Sequence, residues 1–291
     1  MKRHNVKGEL VTFKDSKAFH HDGILYQASE STTTIVHVHG SFGNFYQNEF
    51  LRIMAKAYLE AQINFLSFNL AGHDGLAEGY RNEWDFEYAG GAIKAFEDCV
   101  FDIQAAVDFV QPFSKRVVLQ GHSLGCERVL HFMLATKAKH DFILLSPCDS
   151  YQLQSIWLAP ETVEDQISRL RLGQTTDEVF DWLPEREYGI RRGEWTYPIH
   201  IVRSNLISLI EGPAFKLVRM DQPADYKIDQ KALIYIGGDD DLQTVPREVM
   251  FKYFEERVRE VTSTSIFPEG DHSLWGCEQE VSEEIVKWVS A

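Results

Sequence analysis

The chain has 291 residues, with 29 Lys+Arg against 44 Asp+Glu, a formal net charge of −15, and 44% hydrophobic residues. This length and composition predict a folded globular protein with a sizeable core, and they exclude a disordered chain. The acidity argues against a nucleic-acid partner and against binding to anionic membranes, because both require a basic surface.

No feature of the sequence predicts a membrane span or a secretory signal. No apolar run approaches the roughly 18 residues that a spanning helix requires. The basic start MKRHNVKGEL is not followed by an apolar segment. The four cysteines (Cys99, Cys126, Cys148 and Cys277) form no CxxC pair. This spacing favours reduced, buried thiols in a cytoplasmic protein.

Strand and helix patterns alternate through the first half of the chain. Residues 33–39 (TTIVHVH) are β-branched and apolar, as in a buried strand. Residues 48–61 have the apolar spacing of a helix. In chain order, the patterns predict strands over 9–13, 23–27, 33–39, 64–70, 116–120 and 142–146, and helices over 48–61, 92–110 and 124–135.

The alternation breaks between Cys148 and Gln230, where the chain is helical, aromatic and charged and shows no clear strand. It resumes with strands over 232–237 and 262–267 and helices over 246–259 and 278–289. Such alternation predicts an α/β fold with a mostly parallel sheet and helices on both faces. The domain prediction is a core of residues 1–147 and 231–291 with an inserted helical cap at 148–230.

The predicted cap has no motif, but its composition allows two readings. Its aromatic residues either line an apolar substrate pocket or form the cap's own small core; these are Trp157, Trp182, Trp195 and Tyr197. Its arginines Arg191, Arg192 and Arg203 are expected on a solvated face, with contact to a substrate carboxylate as the alternative.

The strongest motif is Gly121-His122-Ser123-Leu124-Gly125, between a predicted strand and a predicted helix. Glycines on both sides of the serine allow a strand to turn sharply into a helix and leave the serine exposed in a strained conformation. Ser123 is therefore the candidate nucleophile. The amide of Leu124 opens the helix, where a developing oxyanion is stabilised.

A serine nucleophile needs a base that a third group holds in place. His272 follows the strand predicted over 262–267 and is the candidate base. The acid comes from the Asp239-Asp240-Asp241 cluster after the strand 232–237. Asp240 is preferred by its spacing from the apolar run, Asp241 is the rival, and Asp239 is expected in solvent.

The remaining histidines compete less well for the role of base. His122 flanks the nucleophile but is expected to point elsewhere, and His73 and His39 lie in loops at strand ends. His37 and His39 share one strand face, which is compatible with a metal site, but no third ligand is in register. His20-His21 is predicted to be a surface pair. No GxGxxG or P-loop follows a strand, so neither a cofactor nor a metal is expected.

A second oxyanion donor is expected in the turn after the strand 33–39. Gly40 lets the backbone approach a reacting carbonyl, so the amide of Ser41 would complete the hole, with Phe42 as the alternative.

Five segments, HGSFGN, NLAGHD, GHSLG, GGDDD and GDHS, stand in the order of the corresponding motifs of the α/β-hydrolase superfamily, which this chain therefore resembles. The segments HGSFGNFYQNEF and LQGHSLGCERVLHFM are similar to a microbial and plant branch that includes fungal siderophore esterases. The resemblance implies a cofactor-free serine hydrolase that acts through an acyl-enzyme. One residue more than usual separates the acid turn from Val245-Pro246, which keeps Asp240 and Asp241 both open.

The function predicted from these features is cleavage of a carboxylic ester, thioester or lactone of a small molecule. An amide or peptide hydrolase of the same fold is the alternative, since the same triad performs both reactions. A non-catalytic binding protein that kept the fold is a third hypothesis, and it predicts a missing triad residue, whereas all three are present.

Overall fold

The computed structural model describes residues 6–82, 84–159, 161–172, 179–183, 199–264 and 270–291. The strands are β1 (Glu9–Lys14), β2 (His20–Tyr26), β3 (Thr33–Val38), β4 (Asn64–Phe68), β5 (Ala77–Asn82), β6 (Asp85–Ala89), β7 (Arg116–His122), β8 (Asp141–Leu145), β9 (Val179–Leu183), β10 (Ile199–Val202), β11 (Ile228–Tyr235) and β12 (Val258–Thr264). The helices are α1 (Glu49–Glu60), α2 (Cys99–Val110), α3 (Leu124–Thr136), α4 (Ser150–Leu158), α5 (Val163–Leu172), α6 (Arg203–Glu211), α7 (Arg247–Glu255) and α8 (Glu278–Ser290).

A central sheet of eight strands organises the molecule in the order β1-β2-β4-β3-β7-β8-β11-β12. Strand β2 pairs antiparallel with both of its neighbours, and the other pairs are parallel. The predicted α/β class with a mostly parallel sheet is confirmed, and the first two predicted strands pair antiparallel.

Helices bury both faces of the sheet, as the apolar strands require. In β3, Ile35 faces the cluster packed by α1 and α8, whereas Val36 and Val38 face the opposite cluster, to which α2, α3 and α7 contribute. This alternation follows the two-residue period of a strand. The four cysteines are buried and unpaired, as predicted.

Two elements of the predicted domain 1–147 differ from the sequence-based prediction. The helix expected over 92–110 begins only at Cys99, because Ala95 is extended, and a short 3-10 turn over Phe96–Asp98 precedes the helix. The hairpin of β5 and β6 was not predicted at all. Its strands are largely exposed, so the sequence lacks the pattern of alternating apolar residues that predicts a half-buried strand.

The segment between β8 and β11 contains α4, α5 and α6, together with β9 and β10, which pair antiparallel. The expectation that this stretch has no strand is therefore wrong. Strand β11 also begins at Ile228, inside the predicted cap. The division into core and cap stays a prediction.

The carboxyl ends of the parallel strands bring the motif residues to one edge of the sheet. Strand β7 leads to Ser123, β11 to Asp240 and β12 towards His272. Strand β8 lies between β7 and β11 and leads into α4. No helix among the described residues is long and apolar enough to cross a membrane.

We expect Gly125→Ala to destabilise the fold, because a Cβ there would lie 2.1 Å from the Val38 carbonyl oxygen, which belongs to the backbone and cannot move aside cheaply. Overpacking of this kind costs about 1–3 kcal/mol or more. Gly75→Ala is the control, since its Cβ meets no atom within 4 Å. Urea unfolding followed by circular dichroism measures both. Equal midpoints for the two variants would contradict the packing of α3 on β3.

Candidate active site

Ser123 stands in a strained turn between β7 and α3. Its φ of 55° and ψ of −130° lie in a region that residues with a side chain rarely adopt. The Ser123 amide donates to the Leu145 carbonyl at 3.0 Å, and the Cys126 amide donates to the Ser123 carbonyl at 2.8 Å. A Cβ on Gly121 would lie 2.4 Å from the Gly125 oxygen, so the turn closes only with glycines at these positions.

The structure brings the three predicted triad side chains into one hydrogen-bonded chain. His272 Nε2 lies 2.8 Å from Ser123 Oγ, and His272 Nδ1 lies 3.0 and 3.1 Å from the two oxygens of Asp240. A carboxylate can only accept, so Nδ1 carries the proton and Nε2 is left to accept from the serine hydroxyl. This is the arrangement in which an imidazole can take the serine proton.

Of the three adjacent aspartates, the geometry selects Asp240. Its carboxylate accepts from the Leu242 amide at 3.0 Å and from Gln243 Nε2 at 3.1 Å, while Asp239 and Asp241 are exposed. Burial alone would raise the pKa of Asp240, but His272 and these donors outweigh it and hold the pKa below its ordinary value. The alternative acid, Asp241, is therefore not brought to His272.

His122 contributes to the site in a way that the sequence did not reveal. It is buried, and its Nε2–H donates to the backbone carbonyl of His272 at 2.8 Å. Burial, aided by the nearby His272, lowers the pKa of His122 to about 4, so the ring stays neutral and keeps this bond above that pH. The sequence did not predict this bond of His122 to the backbone of His272. Its position next to Ser123 was the available signal.

The predicted oxyanion turn packs directly on the nucleophile. A Cβ on Gly40 would lie 2.8 Å from Ser123 Cβ, so the backbone approaches Ser123 as closely as glycine permits. Ser41 and Leu124 both line one small cavity beside it. Phe42, the alternative donor, has a φ of 51° and lines the same cavity.

Arg128, on α3, holds this turn through hydrogen bonds, a role that the sequence analysis did not identify. Its guanidinium Nη1 donates to the carbonyls of His39 at 2.8 Å and Gly40 at 3.0 Å, and the residue is 6% exposed. A buried arginine is retained only where its donors find partners. The sequence signal was a charged residue within the apolar pattern of LGCERVLHFM.

The other histidines of this region make structural hydrogen bonds. His39 accepts from the Leu70 amide at 3.1 Å with Nε2, and Gln120 Nε2 donates to His37 Nδ1 at 3.0 Å. Burial lowers the pKa of His37 to about 3. His73 instead contacts the Asp74 carboxylate. Through these bonds His37 and His39 connect the end of β3 to Gln120 and to the Leu70 amide.

Helix α6 from the predicted cap forms part of the cavity wall. Asn205 and Leu209 line it together with Ser41 and Leu124, and Asn205 Nδ2 donates to the Gly91 carbonyl at 2.6 Å. Arg203 is buried, which corrects its assignment to a solvated face. Of the predicted cap candidates, Arg191, Arg192, Trp195 and Tyr197, and the side chains of Trp157 and Trp182, lie outside the described residues.

A family model described as "Alpha/beta hydrolase family" matches residues 35–284. This match covers most of the chain, so the protein belongs to the alpha/beta hydrolase family. The membership supports a hydrolase in general and leaves the bond that it cleaves open.

Solved structures share the fold at low sequence identity. An esterase of Pyrococcus furiosus superposes with a TM-score of 0.59 at 14% identity over 99% of this chain and 90% of that chain. Est1E from Butyrivibrio proteoclasticus, solved with ferulic acid, has a TM-score of 0.63 at 15% identity over 96% and 98%. An esterase domain of a Rhodothermus marinus protein has a TM-score of 0.59 at 17% identity over 98% of both chains. A search of curated protein sequences finds no match.

Glu127, on the helix that follows Ser123, carries a buried carboxyl group. Glu127 is fully buried, and its Oε1 accepts from the Ser150 hydroxyl at 3.2 Å, while Oε2 has no hydrogen-bond partner. Burial raises the pKa of Glu127 to about 8 from an ordinary value of 4.5. The folded protein therefore keeps a proton on Glu127 at pH values at which the unfolded chain has lost it.

We expect Glu127→Gln to make the protein more stable than the wild type at pH 8 and to lose most of that advantage near pH 4.5. Between these values only the folded wild type binds the proton, so the wild-type free energy of unfolding falls as pH rises, by on the order of 1 kcal/mol or more in total. Thermal unfolding at both pH values measures this. The exposed Glu280→Gln is the control, and an identical pH response of the two variants would contradict the assignment.

Proposed function

We propose that this protein is a serine hydrolase that cleaves a carboxylic ester, thioester or lactone of a small molecule through an acyl-enzyme. The observation that carries the proposal is the continuous hydrogen-bonded chain from Ser123 through His272 to Asp240, with distances of 2.8 and 3.0 Å. The oxyanion donors in this proposal are the backbone amides of Ser41 and Leu124.

In the acylation step, Ser123 Oγ attacks the acyl carbon while its proton passes to His272 Nε2. The carbonyl oxygen becomes an oxyanion, which the amides of Ser41 and Leu124 would bind. His272 then gives the proton to the leaving alcohol or thiol as the bond to the acyl carbon breaks. Asp240 keeps the proton on Nδ1, so that Nε2 can act as base and then as acid.

In the deacylation step, a water molecule replaces the serine hydroxyl as the attacking group. His272 Nε2 takes a proton from this water, and the hydroxide adds to the acyl-enzyme carbonyl. Collapse of the second oxyanion releases the carboxylic acid and returns the proton from His272 to Ser123 Oγ. The cycle therefore needs water and no further reactant.

The preference for esters is supported by the names of two structural relatives, one of which is an esterase and the other an esterase domain.

We expect Asp240→Asn to lower kcat for ester hydrolysis by about 10⁴-fold, since an amide in place of the carboxylate favours the wrong tautomer of His272. Asp241→Asn is the matched control, because Asp241 is exposed and next in sequence; it should keep nearly full activity. Steady-state hydrolysis of a p-nitrophenyl ester measures both. Equal losses in the two variants, or loss only in Asp241→Asn, would overturn the choice of acid.

A fluorophosphonate probe should label the wild type once, at Ser123, and should not label Ser123→Ala. Intact mass and peptide mapping locate the adduct. Labelling that persists in Ser123→Ala, or undiminished hydrolysis by that variant, would overturn the proposed nucleophile.

Matched p-nitrophenyl esters and p-nitroanilides separate the ester function from the amide alternative. We expect kcat/KM for the ester to exceed that for the anilide by more than the ratio of their reactivities towards hydroxide. The opposite ranking would favour the amide or peptide hydrolase.

A further inference from the structure

Three metal-ligating atoms meet at a point that the proposed reaction does not use. They are Asp15 Oδ2 from the turn between β1 and β2, His21 Nε2 from β2 and Asp102 Oδ1 from α2, and they lie within 4.8 Å of one another. The side chain of His21 is fully buried, and those of the two aspartates are 4% exposed. His21 Nε2 has no hydrogen-bond partner. The prediction that His21 belongs to a surface pair is therefore wrong.

Each of the three side chains is anchored to the backbone through its other polar atom. Asp15 Oδ1 accepts from the amides of Lys17 and Phe19, both at 2.8 Å. Asp102 Oδ2 accepts from the Ala71 amide at 3.0 Å. These bonds leave the second oxygen of each carboxylate directed towards His21 Nε2.

The anchoring of His21 also determines which atom can bind a ligand. His21 Nδ1 lies 3.0 Å from the Asn69 carbonyl oxygen, which can only accept, so Nδ1 carries a proton. In the neutral ring, Nε2 then carries a lone pair, and this lone pair faces two carboxylate oxygens. Imidazoles that bind metals have this arrangement, with the distal N–H donated to a backbone carbonyl.

The distances fit a bridging cation better than a direct hydrogen bond. His21 Nε2 lies 3.6 Å from Asp102 Oδ1 and 3.9 Å from Asp15 Oδ2. An N–H···O bond requires about 2.7–3.2 Å. Ligand atoms at about 2.1 Å from a tetrahedral Zn²⁺ are about 3.4 Å apart, so both distances to His21 Nε2 exceed that spacing by only a few tenths of an ångström.

The charge of the cluster also calls for a cation. When both aspartates are ionised, the buried cluster needs a compensating positive charge, and no Lys or Arg of the described chain pairs with either carboxylate at ion-pair distance. That charge comes either from a proton on His21 or from a bound metal ion. A divalent ion would cancel both charges, which removes most of the cost of burying them.

We propose that Asp15, His21 and Asp102 form a structural binding site for a divalent metal ion, with Zn²⁺ as the expected ion. One imidazole and two carboxylates are donors that Zn²⁺ accepts, whereas Ca²⁺ prefers more oxygen ligands and no nitrogen. The rings of Phe13, Phe19 and Phe68 pack around His21, with centroids 5.2–6.2 Å from the imidazole, and enclose it. The site would join β2 and α2 to the loop after β4.

The experiment titrates Zn²⁺ into chelator-treated, full-length protein by calorimetry and follows thermal unfolding in parallel. We expect one bound ion per chain and a rise in Tm of roughly 5–10 °C when free Zn²⁺ is about 100 times Kd. Asp15→Asn and Asp102→Asn are the test variants. In each, the amide oxygen can still accept from the backbone, while the amide nitrogen, which cannot bind Zn²⁺, takes the ligand position.

We expect each of these variants to weaken Zn²⁺ binding at least about 100-fold, since losing an outer-shell partner alone costs 10–100-fold. Asp22→Asn is the matched control, because Asp22 is exposed and adjacent to His21, and it should bind Zn²⁺ like the wild type. Two results overturn the proposal. One is the absence of Zn²⁺ binding to the folded wild type, which would mean that a protonated His21 supplies the positive charge between the two carboxylates. The other is binding that both test variants retain, which would place the ion elsewhere.

Discussion

The backbone of Ser123 is held in a conformation that costs free energy, and the chemistry of the site depends on its staying there. Strain of this kind persists only where the surroundings over-determine it. Here Gly121, Gly125 and Gly40 allow approaches that a Cβ would block, and the Leu145 carbonyl accepts the Ser123 amide. Together they direct the hydroxyl at His272 Nε2, 2.8 Å away.

A connected set of hydrogen bonds extends from this turn into the rest of the core. Arg128 holds the carbonyls of His39 and Gly40, and His39 in turn accepts from the Leu70 amide. The next amide along the chain, that of Ala71, donates to Asp102. The oxyanion turn and the proposed metal site are therefore anchored to adjacent residues of one loop, so a cation that stabilises the second would also restrain the first. Effects on activity and on stability have to be measured separately for that reason.

The fold was largely predictable because its strands are continuous apolar runs that must be buried on both faces. The parts that were predicted wrongly lack that constraint. The hairpin of β5 and β6 is mostly exposed. The helix predicted from residue 92 rests on a periodicity that the extended backbone of Ala95 interrupts. The strands β9 and β10 are only five and four residues long, too short for a strand pattern to stand out in a segment that is otherwise helical in pattern.

The sequence by itself determined the α/β class, the glycine-flanked turn that carries Ser123, and the order of serine, aspartate and histidine, because these depend on local patterns and on strand ends. It left Asp240 and Asp241 both open, and it assigned His21 and Arg203 to the surface. Only the tertiary structure shows that Asp240 lies against His272 and that His21 and Arg203 are buried. Burial and hydrogen-bond partners arise from segments far apart in the chain, such as Asp102 beside His21 and Arg128 behind Gly40, and no local pattern encodes such contacts.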